Sequence, residues 1–136
     1  MEVKLALLAD GANVSREGKL NLFGIFDTVF ARTFPTTHPQ MQLVIRFEAE
    51  PDEAGSTRNV EVQFGAADGR VLFRLPGTIQ VQPRAFGDKV RMDHILTLNN
   101  LQLEAPGAYR FHVLVDGGLA AVVPLQAEQI ATGPSH

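Results

Sequence analysis

The chain has 136 residues, no cysteine, 12 basic and 15 acidic side chains and a formal net charge of −3. That length suits one domain with a core able to stand without staples. The lack of cysteine removes disulfides and thiolate metal sites and points to a reducing compartment. The charge also argues against a phosphate-backbone footprint: its densest basic group, Arg84, Lys89 and Arg91, reads as a solvated turn and strand start, so nucleic acid is not an expected partner.

The opening residues Glu2–Ala9 read as a strand. The apolar run Leu5–Ala9 is shorter than the roughly 7–15 residues of a signal-peptide core, and Glu2 spoils a basic start. Nothing approaches the roughly 20 apolar residues of a membrane helix, so a cytoplasmic protein with no membrane partner is expected. The loop from Asp10 to Gly18 carries Asx-type turn chemistry; its Asn13-Val14-Ser15 acceptor matters only in a secreted protein. Lys19–Val29 reads as the next strand. Within it Leu20, Leu22, Phe23, Ile25 and Phe26 fall on both parities, so either both faces are covered or Gly24 marks a bulge; the bulge is preferred.

The segment Arg32–Gln40 carries two prolines, two threonines, a histidine and an aromatic residue. Stiff loops between strands are common binding sites, which makes Arg32, Phe34, Thr37 and His38 a candidate binding loop. Its structural alternative is a crossover between sheets, with Phe34 plugging the end of the core. Met41–Glu50 then alternates over ten residues, with Met41, Leu43, Ile45, Phe47 and Ala49 on one face. Asn59–Gly65 repeats the pattern, and Asp68-Gly69 supplies a tight type I′ turn into Arg70–Leu75. Gly77–Gln82 and Lys89–Leu98 are further strands. Pro106-Gly107 suits a type II turn into Tyr109–Val115. Asp116-Gly117-Gly118 turns the chain into the last strand, with Leu119, Ala121, Val123 and Leu125 inward. Residues 129–136 are expected to fray.

About nine short strands at this spacing indicate an all-β fold, an antiparallel two-sheet β-sandwich of immunoglobulin-, C2- or jelly-roll-like kind over residues 1–128; a barrel is the alternative.

Chemistry-bearing groups are sparse. The histidines, His38, His94, His112 and His136, lack ligand spacing, and His94 shares the parity of Met92, Leu96 and Leu98, as a half-buried, hydrogen-bonded residue does. Ser15, Ser56 and Ser135 sit in turns or the tail, outside any nucleophile elbow. The strand carboxylates Glu48, Glu50 and Glu61 alternate outward, and Asp10, Asp27, Asp68 and Asp116 lack the clustering calcium needs. No catalytic, cofactor or metal residue is assigned, and no cofactor is expected.

The alternation leaves Val44, Leu72, Leu114, Ala120 and Val122 pointing away from the core. Scattered, they mean nothing; gathered on one sheet, they form an interface for another protein or for a second copy in a homodimer. Val44, Leu72, Leu114 and Val122 are the candidate interface residues.

Leu7-Leu8-Ala9-Asp10, Ala12-Asn13-Val14, Gly18-Lys19-Leu20-Asn21, Gly24-Ile25-Phe26-Asp27 and Phe34-Pro35-Thr36-Thr37-His38-Pro39 resemble the opening of an uncharacterised bacterial family of small stand-alone β-sandwich proteins. Pro106 to Phe111 and Val115-Asp116-Gly117 are similar to its closing hairpin. The resemblance spans most of the chain, implies a stand-alone β domain and carries no known activity. Gly11 stands where it implies an aromatic residue.

The function this supports is a non-catalytic protein-interaction or assembly module, acting through an outward sheet face, the Arg32–Gln40 end, or an edge strand that accepts a peptide. A small-ligand or carbohydrate-binding sandwich is the first alternative. An enzyme whose residues meet only in space is the second.

Overall fold

The structure, a computed structural model, describes residues 1–83 and 88–131. Among these residues nine strands follow one another: β1 (Glu2–Val14), β2 (Leu20–Phe26), β3 (Thr28–Ala31), β4 (Thr36–Ala49), β5 (Thr57–Gly65), β6 (Val71–Gln80), β7 (Val90–Leu103), β8 (Gly107–Val115) and β9 (Gly118–Gln129). A 3-10 turn, Pro51–Glu53, follows β4. One sheet has the order β2-β1-β4-β7 and the other β3-β9-β8-β5-β6, so the fold is an open two-sheet sandwich and not a closed barrel. All pairs are antiparallel except β3 with β9. Among the described residues no helix is long and apolar enough to cross a membrane.

The period-two pattern places the core. Met41, Leu43, Ile45 and Phe47 of β4 are fully buried, facing Val62, Phe64, Phe111, Val113 and Leu125 of the second sheet. Phe64 anchors the aromatic centre, with ring centroids 4.6 Å from Phe111, 5.2 Å from Phe73 and 5.4 Å from Tyr109. A satellite cluster of Ala49, Val81 and Val90 closes one end of the sandwich.

Tyr109 also ties the β7–β8 corner. Its hydroxyl donates to the Ala105 carbonyl at 2.6 Å and accepts from the Ala105 N–H at 3.3 Å. This is a tyrosine corner, and the chain crosses there from one sheet to the other. Strand order and corner together correspond to an immunoglobulin-like sandwich, with β1, β4 and β7 in one sheet and β9, β8, β5 and β6 in the other.

Several expectations are corrected. Lys19–Val29 is two strands, because the chain changes sheets at Asp27; its carbonyl accepts from Gln126 N–H as β3 joins β9. Conversely, Arg70–Leu75 and Gly77–Gln82 are one strand, β6, running through Pro76. Proline is tolerated there because β6 is an edge strand. The strand total is nine only because the split and the merger offset each other. Nor are the strands all short: β1, β4 and β7 run to 13 or 14 residues.

The register of β1 with β2 passes Gly24 without a shift, so there is no bulge at that point. Leu20, Leu22 and Phe26 share one face and Phe23 and Ile25 the other, where they are 54% and 62% exposed. A bulge occurs instead in β8–β9, between Val113 and Leu114, and turns Leu119 outward to 61% exposure. Asp116 and Gly117 have φ of 49° and 82°, the type I′ geometry, and Val115 pairs directly with Gly118. At Asp68-Gly69 only the glycine is left-handed, and the Gly69 N–H bonds Ala66 C=O; that turn is a type I turn with a glycine bulge. Gly107 has a φ of 148°, outside the value type II demands. Of the expected frayed tail, residues 132–136 lie outside the described ones, while Gln129 ends β9 and Ile130 N–H still bonds Ala31 C=O. Arg84 of the basic group also lies outside the described residues.

Candidate functional site

Because each sheet ends on an unpaired strand, one long side of the sandwich stays open. Strand β7 edges the first sheet and β6 the second, and no pairing joins them among the described residues. Between them lies a cleft of about 590 Å³. Its walls are Leu72, Phe73 and Leu75 of β6 and Leu96, Thr97 and Leu98 of β7. Phe64 of β5 closes the back, itself sealed from solvent. A smaller hollow of about 90 Å³ continues it past Pro76 to Ile79 on one wall and His94 on the other.

The sequence folds this way for a local reason. The inward positions of β7, Met92, Leu96 and Leu98, and of β6, Phe73 and Ile79, carry apolar side chains long enough to reach the core from either edge. None bridges the gap, so Leu72 and Leu75 remain 37% and 36% exposed on the rim. The rest of the rim is amide, hydroxyl and one carboxylate: Thr97, Asn99, Asn100, Gln102 and Glu104. Among the described residues no Lys or Arg lines the cleft or its continuation. Each wall also presents the backbone N–H and C=O groups of an edge strand, of which those facing the cleft lack ladder partners.

The expected site residues are not brought together. Val44 lies on the outer face of the first sheet, in a row with Leu7 and Ile95, and is fully buried by those neighbours. Leu72 lines the cleft. Leu114 and Val122 share the outer face of the second sheet, beside His112, where Leu114 is half-buried and Val122 is 44% exposed. Ala120 is half-buried at the bulge. Four residues drawn from one pattern therefore occupy three surfaces.

The segment Arg32–Gln40 is a loop only as far as Pro35; Thr36–Gln40 already belong to β4. It is a crossover from sheet to sheet, and Phe34 packs against the core. Arg32 offers its carbonyl to Gln129 Nε2, Thr37 is exposed, and the His38 ring sits 5.9 Å from that of Phe26. His94 is exposed on the cleft wall rather than half-buried. At Gly11, a Cβ would stand 2.7 Å from Phe23 Cδ2, so the Phe23 ring covers that position from the neighbouring strand.

The strongest electrostatics lie away from the cleft. Glu53 accepts from the N-terminal ammonium at 2.8 Å, from the Glu50 N–H and from Arg58; Arg58 reaches on to Asp116 at 2.9 Å. The ammonium, then the Glu50 N–H, hold the Glu53 carboxyl below its ordinary value. Asp116 is held low first by the Asn59 N–H, then by Arg58. These bonds pin the 3-10 turn to β5 and to the β8–β9 turn. Among the described residues, no three His, Asp or Glu side chains gather as a metal site would require.

No curated protein matches the sequence. A structure of Pseudomonas fluorescens alkylpurine DNA glycosylase AlkC, bound to DNA containing an abasic site analog, is similar over 75% of this chain and 27% of its own, at 13% identity and a TM-score of 0.43. A glycoside hydrolase family 2 beta-glucuronidase is similar over 69% of this chain and 11% of its own, at 14% identity and a TM-score of 0.40. The chain thus spans only a small part of either protein. Residues 4–128 match the family of unknown function DUF6941, and the chain belongs to that family.

Proposed function

We propose that the protein is a non-catalytic interaction module of the bacterial cytoplasm, and that it holds an apolar segment of a partner protein in the cleft between β6 and β7. The observation that carries this reading is the cleft itself: about 590 Å³ of space, walled by leucines and phenylalanines and bordered by amides, a hydroxyl and one carboxylate. A surface of this kind excludes water from an apolar guest. The cysteine-free composition accords with a reducing compartment.

A displayed library of random 12-residue peptides, selected on the wild type and on the double variant Leu72→Glu/Leu75→Glu, tests the reading. Both side chains are partly exposed on the rim, at 37% and 36%, and an unchanged circular-dichroism spectrum and melting transition check that the variant folds. Enrichment of alternating apolar sequences that fail to bind the variant is expected. Enriched peptides that bind both proteins equally would remove the cleft as the site.

A further inference from the structure

The two walls of the cleft are not equivalent acceptors. Strand β6 contains Pro76, which has no N–H, followed by Gly77, and most of its residues are exposed. Proline within an edge strand is a common device against strand addition. Strand β7 has no proline over Val90–Leu103 and keeps an unbroken register with β4. The walls also run in opposite directions. Leu72 of β6 and Leu101 of β7 flank the mouth, whereas Ile79 and His94 flank the far end. A strand entering the cleft is therefore antiparallel to one wall and parallel to the other.

Resting on the reading of the cleft as a protein-binding site, we propose that the partner segment adds to the sandwich as a further strand, antiparallel to β7, with alternate apolar side chains entering between Leu96 and Phe73. Three observations converge on this occupant. The apolar floor calls for side chains at every second position, and the free backbone edge of β7 calls for a main chain beside it. Charge sets the polarity. Among the described residues the one charged side chain lining the main cleft is Glu104, at the mouth, and it has no described cation within salt-bridge distance. An antiparallel guest begins at the mouth, so a cation near its N-terminal end meets Glu104. The pairing also takes the antiparallel form, slightly the more stable per residue.

The test uses the full chain and a capped synthetic peptide of alternating valine and threonine, with one lysine at either its N-terminal or its C-terminal flank. Hydrogen exchange should slow at alternate amides between Met92 and Asn99 and stay unchanged along β6. Moving the lysine to the C-terminal flank should weaken binding about two- to fivefold at low salt, as exposed ion pairs do. Glu104→Gln should erase that difference. Methylating alternate peptide nitrogens on one edge should cost at least tenfold.

Binding that protects β6 amides, or that ignores N-methylation, would overturn strand addition to β7 while leaving the cleft as the site. A peptide that leaves every cleft resonance unmoved would overturn both. Light scattering that finds a dimer of the free protein, with β7 amides already protected, would make a second copy the occupant and overturn a partner segment.

Discussion

Replacing Tyr109 by phenylalanine isolates the one hydroxyl that ties the β7–β8 corner. The ring stays, so its stacking on Phe64 at 5.4 Å is kept and no cavity opens. What is lost is the 2.6 Å bond to the Ala105 carbonyl and the weaker 3.3 Å bond from the Ala105 N–H. Tyr109 is only 6% exposed, so water does not replace its hydroxyl fully, whereas Ala105 is exposed and its own groups can be solvated. A net hydrogen bond is worth about 0.5–1.5 kcal/mol and an orphaned buried partner costs about 1–3. With partial solvation the expected loss is about 1–2 kcal/mol, or roughly 3–8 °C in Tm for a chain of this size. Urea unfolding at fixed pH, with the slope unchanged, measures it. A midpoint equal to the wild type would mean that the corner is held by packing alone.

Val44→Ala should cost about 1.5 kcal/mol by loss of two methylene equivalents, although the side chain lies on an outer face, and Val44→Asp should cost more than about 3 kcal/mol. Thermal unfolding checks both, and a neutral Val44→Asp would mean that Leu7 and Ile95 do not cover the site. Glu53→Gln should destabilise the protein at pH 7. The Glu53 carboxyl is held below its ordinary value near 4.5, so its contribution is present above that pH and is lost as pH falls through the lower folded value. Wild type and variant should therefore converge in urea titrations as pH falls through the lowered folded value; a gap that persists at the acid end would point to lost packing instead of lost charge.

Alternation made the sandwich legible because a half-buried strand must present every second residue to the core. Met41 to Ala49 shows how far that reaches, since all five inward positions are sealed. It fails where the ladder skips. The bulge after Val113 sends Leu119 to solvent though its parity points inward, and nothing in Gly118-Leu119-Ala120-Ala121 marks the slip. It also fails for Val44, because pointing away from the core is not exposure when long neighbours close over a small residue. The cleft was hidden for a different reason. Which strands lie at an edge is a property of sheet order, set by contacts between residues far apart in sequence. One local signal existed: Pro76 inside a strand pattern is better read as an edge marker than as a break. Tyr109, the chain's one tyrosine, following Pro106-Gly107 at a strand start, was the corresponding signal for the corner.

Occupation of the β6–β7 cleft is tested by a chemical-shift map of the isotope-labelled protein titrated with the alternating valine–threonine peptide. Resonances of Phe73, Leu75, Leu96 and Leu98 are expected to move together, while those of Phe23, Ile25 and Val122 on the outer faces stay in place. Movement confined to the outer faces, with the cleft silent, would contradict it.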